Sequence, residues 1–90
     1  MIIKINASEI VEETAFDEAI DKLTRLAEEG TIAEFKSYDI ESIDNINNTY
    51  AKYTVALYNN EDKAGEPVRT VTLEIYGEED DQTIEIHLGE

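Results

Sequence analysis

The chain has 90 residues, 41% of them hydrophobic, and its 22 acidic residues face only 7 basic ones, which gives a formal net charge of -15. This length predicts one domain with one modest core, and the hydrophobic fraction argues against wholesale disorder. The absence of cysteine excludes disulfide scaffolds, thiolate metal sites and thiol nucleophiles. The charge argues against direct binding of nucleic acid or of an anionic membrane, because both would repel the chain.

The apolar runs are too short for targeting or for membrane insertion. The opening stretch from Met1 to Asn6 is shorter than a secretory hydrophobic region, and Glu9 follows it closely. No later stretch approaches the roughly 18 apolar residues of a membrane span. We therefore expect a cytoplasmic protein without a membrane partner, located in the host cytoplasm if a phage encodes it.

The first two predicted elements are a strand and a helix. Residues 1 to 6 predict the strand. The helix follows Thr14, which suits the N-cap, and continues to Glu29, with Gly30 as the stop. Its apolar residues have the three- and four-residue spacing of one helical face: Phe16, Ala19, Ile20, Leu23, Leu26 and Ala27. We expect this face to cover a sheet.

The rest of the chain predicts strands. Residues 31 to about 41 suit a strand, although Ile40, Ile43 and Ile46 at three-residue spacing also suit a short helical turn. Residues 45 to 49 predict a turn. Three further strands have apolar residues at alternate positions: 50–58, 68–76 and 83–88.

The predicted order is therefore β-α-β-β-β-β. A run of strands beside one helix is typical of an α+β fold. We expect a single domain over residues 1–90, in which a four- or five-stranded antiparallel sheet has the amphipathic helix packed on one face. No repeat or linker divides the chain.

The sequence offers little for catalysis or for metal binding. His87 and Glu85 share the outward face of the last strand, but a histidine–carboxylate pair also needs a nucleophile or a positioned substrate, and His87 suits an ordinary surface residue. The loops 44–48 and 78–81 lack the ligand spacing of a calcium loop. We predict no enzyme, no catalytic residue, no metal site and no cofactor.

The distribution of acidic residues is the most informative feature of the sequence. On the helix, four-residue spacing pairs several acids with bases: Glu18 with Lys22, Asp21 with Arg25, and Arg25 with Glu29. The surplus lies in clusters elsewhere: Glu9, Glu12, Glu13, Glu28, Glu29, Glu61, Asp62, Glu66, Glu78, Glu79, Asp80 and Asp81. A charge of magnitude about 2 to 8 normally keeps a small domain soluble, so solubility alone does not account for this surplus.

A small, cysteine-free, strongly acidic α+β chain with clusters such as Glu78-Glu79-Asp80-Asp81 and Glu61-Asp62 resembles the phage-encoded DNA mimics and inhibitors, which include anti-CRISPR proteins and uracil-DNA glycosylase inhibitors. The resemblance covers the whole chain in composition and involves no residue motif. It implies a non-catalytic inhibitor that presents a DNA-mimicking surface to a basic groove. The partner would be a nucleic-acid-processing enzyme, such as a CRISPR effector or a DNA-repair enzyme, and the clustered acids would contact it.

A second candidate surface is the outward face of the sheet. Alternation places Tyr50, Tyr58 and Tyr76 there, joined by His87 and by Tyr38. Tyrosine is enriched at interface anchors, which makes a homodimeric or hetero-oligomeric interaction module the alternative function. Cross-strand aromatic pairs also stabilise a sheet without any partner, and the sequence leaves both interpretations open.

Overall fold

A computed structural model describes residues 1–78 and 81–89 of the chain. Within these residues it contains one α-helix, one short 3-10 turn and five strands, in the predicted order. The elements are β1 (Ile2–Ile5), α1 (Ala15–Glu28), β2 (Ser37–Asn47), β3 (Tyr50–Tyr58), β4 (Arg69–Tyr76) and β5 (Thr83–His87). The expected α+β class is confirmed. In this described part, no helix has both the length and the apolar character that crossing a bilayer demands.

All five strands belong to one antiparallel sheet with the order β1-β5-β4-β3-β2. The last four strands are consecutive hairpins, and β1 pairs beside β5 at the far edge. The long connection from β1 through α1 to β2 therefore crosses the whole width of the sheet. It carries the helix over one face, called the inner face below.

The helix begins and packs as its sequence predicts. Oγ1 of Thr14 accepts a hydrogen bond from the backbone N–H of Asp17 at 3.0 Å, which caps the first turn. Ala19 and Leu23 have no exposed surface, because the apolar face of α1 lies against β4 and β5. Burial of a leucine side chain of this kind stabilises a fold by about 1.5–3 kcal/mol.

The second strand begins later than predicted, at Ser37. Residues 31 and 32 close the end of the helix: the backbone N–H groups of Thr31 and Ile32 both donate to the carbonyl oxygen of Leu26, at 2.9 and 3.5 Å. Ile32 is buried beneath this turn. The strand predicted to begin at residue 31 is wrong, because the N–H groups of Thr31 and Ile32 satisfy a carbonyl at the helix end. The chain first bonds to the sheet at Lys36, whose N–H donates to the carbonyl of Tyr58 at 2.7 Å.

The same strand also extends further than predicted, to Asn47. Its register against β3 shifts twice, between Ile40 and Ser42 and between Asp44 and Asn47, and each shift keeps the strand extended by accommodating extra residues. The turn between β2 and β3 therefore occupies only residues 48 and 49. Oδ1 of Asn47 accepts a hydrogen bond from the N–H of Thr49 in this turn, at 2.8 Å. A helical turn in this segment is excluded.

The two ends of the sheet differ in their connections. At one end, called the hairpin end, lie the β2–β3 and β4–β5 turns, joined by a 2.8 Å hydrogen bond from the N–H of Gly77 to the carbonyl of Thr49. The helix begins at this end, since Glu13 and Gln82 line the same surface hollow. At the other, called the loop end, lies the long connection between β3 and β4. The outer face of the sheet has no helix packed on it within the described residues.

Candidate protein-binding surface

The predicted partner-binding acids fall into two groups at opposite ends of the sheet. The hairpin-end group is Glu9, Glu12, Glu13, Glu78 and Asp81, and the loop-end group is Glu28, Glu29, Glu61, Asp62 and Glu66. A strand of nine residues such as β3 is about 30 Å long, so no single compact patch contains both groups. The predicted positions Glu79 and Asp80 lie outside the described residues.

The hairpin end carries negative charge without local compensation. Glu12, Glu13, Glu78 and Asp81 are exposed, and within the described part of the chain none of them forms an ion pair. The N–H of Asp81 donates to the carbonyl of Glu78 at 2.8 Å, which fixes the turn that carries both side chains. The carboxylates at this end are therefore free to attract an external cation.

The loop-end group likewise forms no ion pair among the described residues, but a lysine and a backbone N–H group lie near its acids. Nζ of Lys63 lies 3.8 Å from Oδ1 of Asp39. Oδ1 of Asp62 accepts a hydrogen bond from the N–H of Ala64 at 3.3 Å, which gives this acid a role within its own turn. Glu9 has a similar local role, since its carboxylate accepts the N–H of Asn6 at 2.8 Å.

Two of the predicted tyrosines come together beside the hairpin end. Tyr50 and Tyr76 face each other across β3 and β4, with ring centroids 5.1 Å apart and an interplanar angle of 42°. Tyr76 is 37% exposed and immediately precedes the turn that carries Glu78. The aromatic pair therefore lies next to the turn that carries Glu78, with apolar area beside charge.

The Tyr50 hydroxyl is held by a carboxylate on the neighbouring strand. It donates a hydrogen bond to Oε2 of Glu74 at 2.5 Å, and this bond, helped by burial, raises the pKa of Tyr50 to about 12. Burial and the nearby Glu74 carboxylate raise the pKa of Tyr76 as well. Both phenols therefore remain neutral at physiological pH.

The other two tyrosines assigned to the outer face do not join this pair. Tyr58 lies opposite Ser37 in the register, at the loop end of the sheet. Tyr38 lies on the inner face, where its ring centroid is 5.9 Å from that of Phe16. The prediction that Tyr38 faces outward is wrong, because Tyr38 pairs directly with Leu57 of β3, whose side chain is in the core on the inner face.

One helical acid has a structural role that the sequence did not indicate. Glu18 is only 2% exposed, and its Oε1 accepts hydrogen bonds from the backbone N–H groups of Val11 and Glu12 at 2.9 and 3.1 Å. Its Oε2 lies 3.3 Å from an Arg25 guanidinium nitrogen. In the described part, Glu18 thus pairs with Arg25 instead of Lys22, and it anchors the segment that leads into α1.

A second polar group lies in the middle of the outer face. Glu74 and Glu85 are directly opposite in the β4–β5 register, and Nε2 of His87 lies 2.7 Å from Oε1 of Glu74 and 3.5 Å from Oε1 of Glu85. Alternation along β5 places Glu85 and His87 on one face, as predicted. Sequence reasoning missed Glu74, because only the pairing of β4 with β5 brings it to them.

No known protein family, curated protein or solved structure matches this chain. The functional argument therefore depends on the charges and contacts of the chain itself. Two features of the described residues are candidates: the acidic and aromatic surface at the hairpin end, and the Glu74, Glu85 and His87 cluster on the outer face.

Proposed function

We propose that this protein is a non-catalytic inhibitor whose hairpin end binds a basic groove of a nucleic-acid-processing enzyme in the cytoplasm. The groove would normally hold DNA, and the acidic surface would compete with DNA for it, as the resemblance to phage-encoded DNA mimics suggests. The observation that carries the proposal is the density of net charge along the molecule.

The longest dimension of the protein is 36 Å. Dividing 36 Å by the net charge of -15 gives one charge per about 2.4 Å. Leaving out Glu79, Asp80 and Glu90, which lie outside the described residues, changes the charge to -12 and gives one charge per about 3 Å. Both values lie between about 1.7 Å per charge for duplex DNA and about 3.4 Å for one of its strands. The molecule as a whole therefore has a net charge per unit length like that of DNA, and the hairpin-end acids are the part that the proposal places against a groove lined with lysine and arginine.

The two parts of the hairpin-end surface have different roles in this proposal. Charges such as those of Glu78 and Asp81 act at long range, so they raise the association rate and make it sensitive to salt. The Tyr50 and Tyr76 rings supply area that loses water on contact, and aromatic anchors of this kind contribute most of the binding energy at many interfaces. The buried contact would thus determine how slowly the complex dissociates.

A homodimer formed through the outer face is the second candidate. The exposure of Ile2, 59%, and of Tyr76, 37%, favours it. The net charge of -15 on each copy opposes it, because two such chains repel each other at low salt. The two candidates predict opposite effects of salt: added salt weakens groove binding, whereas it strengthens association between like-charged copies.

The test is a competition experiment. The protein is immobilised and exposed to host lysate at about 50 mM salt, and bound proteins are eluted with duplex DNA or with an equal mass of neutral dextran. We expect DNA to release a DNA-binding enzyme that dextran does not release, and the purified enzyme should be inhibited by the free protein. Its affinity should fall by about 10³-fold or more between about 50 and 200 mM salt, as expected when several charge pairs are lost.

Charge reversal at the two ends provides matched variants. The double variant Glu78→Lys with Asp81→Lys should abolish inhibition. The double variant Glu28→Lys with Glu29→Lys changes the net charge equally at the helix C-terminus and should retain most of it. Equal loss in both variants would mean that only overall charge matters, and unchanged inhibition in the first would rule out the hairpin end. Sedimentation of a dimer that Tyr76→Ala dissociates would favour the second candidate instead.

A further inference from the structure

The cluster on the outer face brings together three side chains that can ligate a metal. Glu74 comes from β4, and Glu85 and His87 come from β5. One ligand atom from each residue can be chosen so that all lie within 4.8 Å of one another. Their side chains are 18%, 23% and 32% exposed, respectively, so a small ion can reach the cluster from solvent.

The imidazole is the first sign that the cluster is more than an ion pair. Nε2 of His87 is shielded from solvent and makes no hydrogen bond among the described residues. Oε1 of Glu74 is only 2.7 Å away, as it would be in an ion pair with the ring or beside a shared cation. A shielded ring nitrogen that has two carboxylates beside it and makes no hydrogen bond is arranged as a metal-ligating nitrogen would be.

The two carboxylates are the second sign. Glu74 and Glu85 are direct cross-strand neighbours, and like charges in this position destabilise a sheet. Each of them uses one oxygen for another partner: Oε2 of Glu74 accepts from the Tyr50 hydroxyl, and Oε2 of Glu85 lies 3.6 Å from Nζ of Lys4. The remaining oxygen of each, Oε1, is the one nearest His87.

The separations are close to those around a bound ion. Zinc binds imidazole nitrogen and carboxylate oxygen at about 2.0–2.2 Å, so the ligand atoms of a tetrahedral site are about 3.3–3.6 Å apart. The 3.5 Å separation between Nε2 of His87 and Oε1 of Glu85 lies in this range, and the 2.7 Å separation from Oε1 of Glu74 would widen by about 0.6 Å on binding. The hydrogen bond from Tyr50 holds Glu74 in place, as outer-shell partners of metal-binding carboxylates commonly do.

We propose that Nε2 of His87 and the Oε1 atoms of Glu74 and Glu85 form a binding site for a divalent first-row transition cation of the Zn²⁺ type. A set of one nitrogen and two oxygens suits such ions, whereas calcium and magnesium prefer oxygen ligands alone. Water would complete the coordination. The proposal does not rest on the proposed inhibition, because its tests use the free protein with metal ions alone. Tyr50 contributes to both surfaces, since it bonds to Glu74 and also belongs to the proposed aromatic anchor.

The first test uses the wild-type protein. His87 is the only histidine in the chain, so the ¹⁵N resonances of its imidazole can be assigned without a variant. We expect Zn²⁺ at about 150 mM salt to shift the Nε2 resonance with one-to-one stoichiometry, and Mg²⁺ and Ca²⁺ at the same concentration to leave it in place. An Nε2 resonance that stays unchanged at saturating Zn²⁺, or that responds equally to Ca²⁺, would overturn the proposal.

The second test separates a built site from general attraction to an acidic chain. Calorimetric Zn²⁺ titrations compare Glu85→Gln with Glu34→Gln, which removes the same charge from an exposed residue away from the cluster. Tyr50→Phe should weaken binding by about 10- to 100-fold, the usual effect of losing an outer-shell hydrogen bond, and Glu85→Gln should weaken it more. Equal small losses in all three variants would show adventitious binding only. Circular dichroism checks that each variant is folded. If a variant does not fold, the NMR titration of the wild-type protein still tests the site.

Discussion

The Tyr50 hydroxyl donates a 2.5 Å hydrogen bond to Oε2 of Glu74 across the β3–β4 pair. The bond has opposite effects on its two partners. It raises the pKa of Tyr50 to about 12, since ionising the phenol would place two negative charges together. It is also the largest cause of the lowered pKa of Glu74, because the carboxylate form accepts the bond. Both effects favour the state that exists at neutral pH.

The first prediction concerns the ionisation of Tyr50. In buffer containing a chelator, phenolate absorbance or ¹³Cζ NMR should show Tyr50 ionising with a pKa of about 12. Glu74→Gln should move this pKa toward the ordinary value of 10.0, because the amide carries no charge. Glu85→Gln removes the same charge one strand away and should leave Tyr50 nearly unaffected. An unchanged Tyr50 titration in Glu74→Gln would mean that the hydrogen bond does not cause the shift.

The same bond predicts a pH-dependent contribution to stability. The lowered pKa of Glu74 stabilises the fold above the ordinary value of 4.5, and this stabilisation is lost as pH falls through the folded-state pKa. The raised pKa of Tyr50 stabilises the fold below pH 10, and this contribution is lost as pH rises through about 12. Urea unfolding should therefore show Tyr50→Phe as less stable than wild type at neutral pH. A difference that is constant from acid to alkaline pH would contradict this linkage.

Local patterns in the sequence predicted most of the elements. The three- and four-residue spacing around Leu23 and the N-cap residue Thr14 predicted the helix. Strict alternation predicted β3 with the same bounds that the structure shows. The start of β2 could not be predicted this way. Whether Thr31 and Ile32 join a sheet or close a helix depends on how the chain leaves α1, which is a tertiary property.

The candidate sites were predictable only in part. Alternation alone placed Tyr50 and Tyr76 on the outer face, and it paired Glu85 with His87. The position of Glu74 beside them depends on the β4–β5 register, and that register depends on the length and type of the connecting turn. Strand order likewise decides which acids meet, and no local pattern encodes it.

The second prediction concerns the buried carboxylate of Glu18. Glu18→Ala leaves the N–H groups of Val11 and Glu12 without their acceptor and should lower the free energy of unfolding by about 3 kcal/mol. Glu18→Gln should have a smaller effect, since its amide oxygen can still accept one of these bonds. Glu34→Ala, at an exposed position, should change stability by no more than about 0.5 kcal/mol. Equal effects of Glu18→Ala and Glu34→Ala in urea unfolding would exclude the anchoring role.

The third prediction compares two glycines. Gly77 and Gly65 both have positive φ, 99° and 78°, which disfavours any side chain by about 1 kcal/mol. At Gly77 a Cβ would also overlap the carbonyl oxygen of Asp81, whereas the space around Gly65 is open. Gly77→Ala should therefore destabilise clearly more than Gly65→Ala in urea unfolding, because backbone at the hairpin end must move. Similar losses in both variants would mean that the β4–β5 turn relaxes freely around a new side chain.

The fourth prediction concerns Glu28, the last residue of α1. The negative end of the helix dipole lies there, and the basic residue of the last turn, Arg25, contacts Asp21 at 2.9 Å and Glu18 at 3.3 Å. Glu28→Lys replaces an unfavourable charge by a favourable one and should stabilise the fold by about 1 kcal/mol at low salt. Salt should reduce the gain, because the charge is exposed.

Glu66→Lys is the matched control for this prediction. It makes the same change in net charge in an exposed loop, so it reports the general relief of repulsion in a chain with a charge of -15. The gain in Glu28→Lys should exceed that in Glu66→Lys when thermal unfolding is measured at about 10 mM salt, and the two should converge at about 1 M. Equal gains at low salt would show that the dipole contributes nothing at this position. In that case the excess of acid would destabilise the protein only through its total charge.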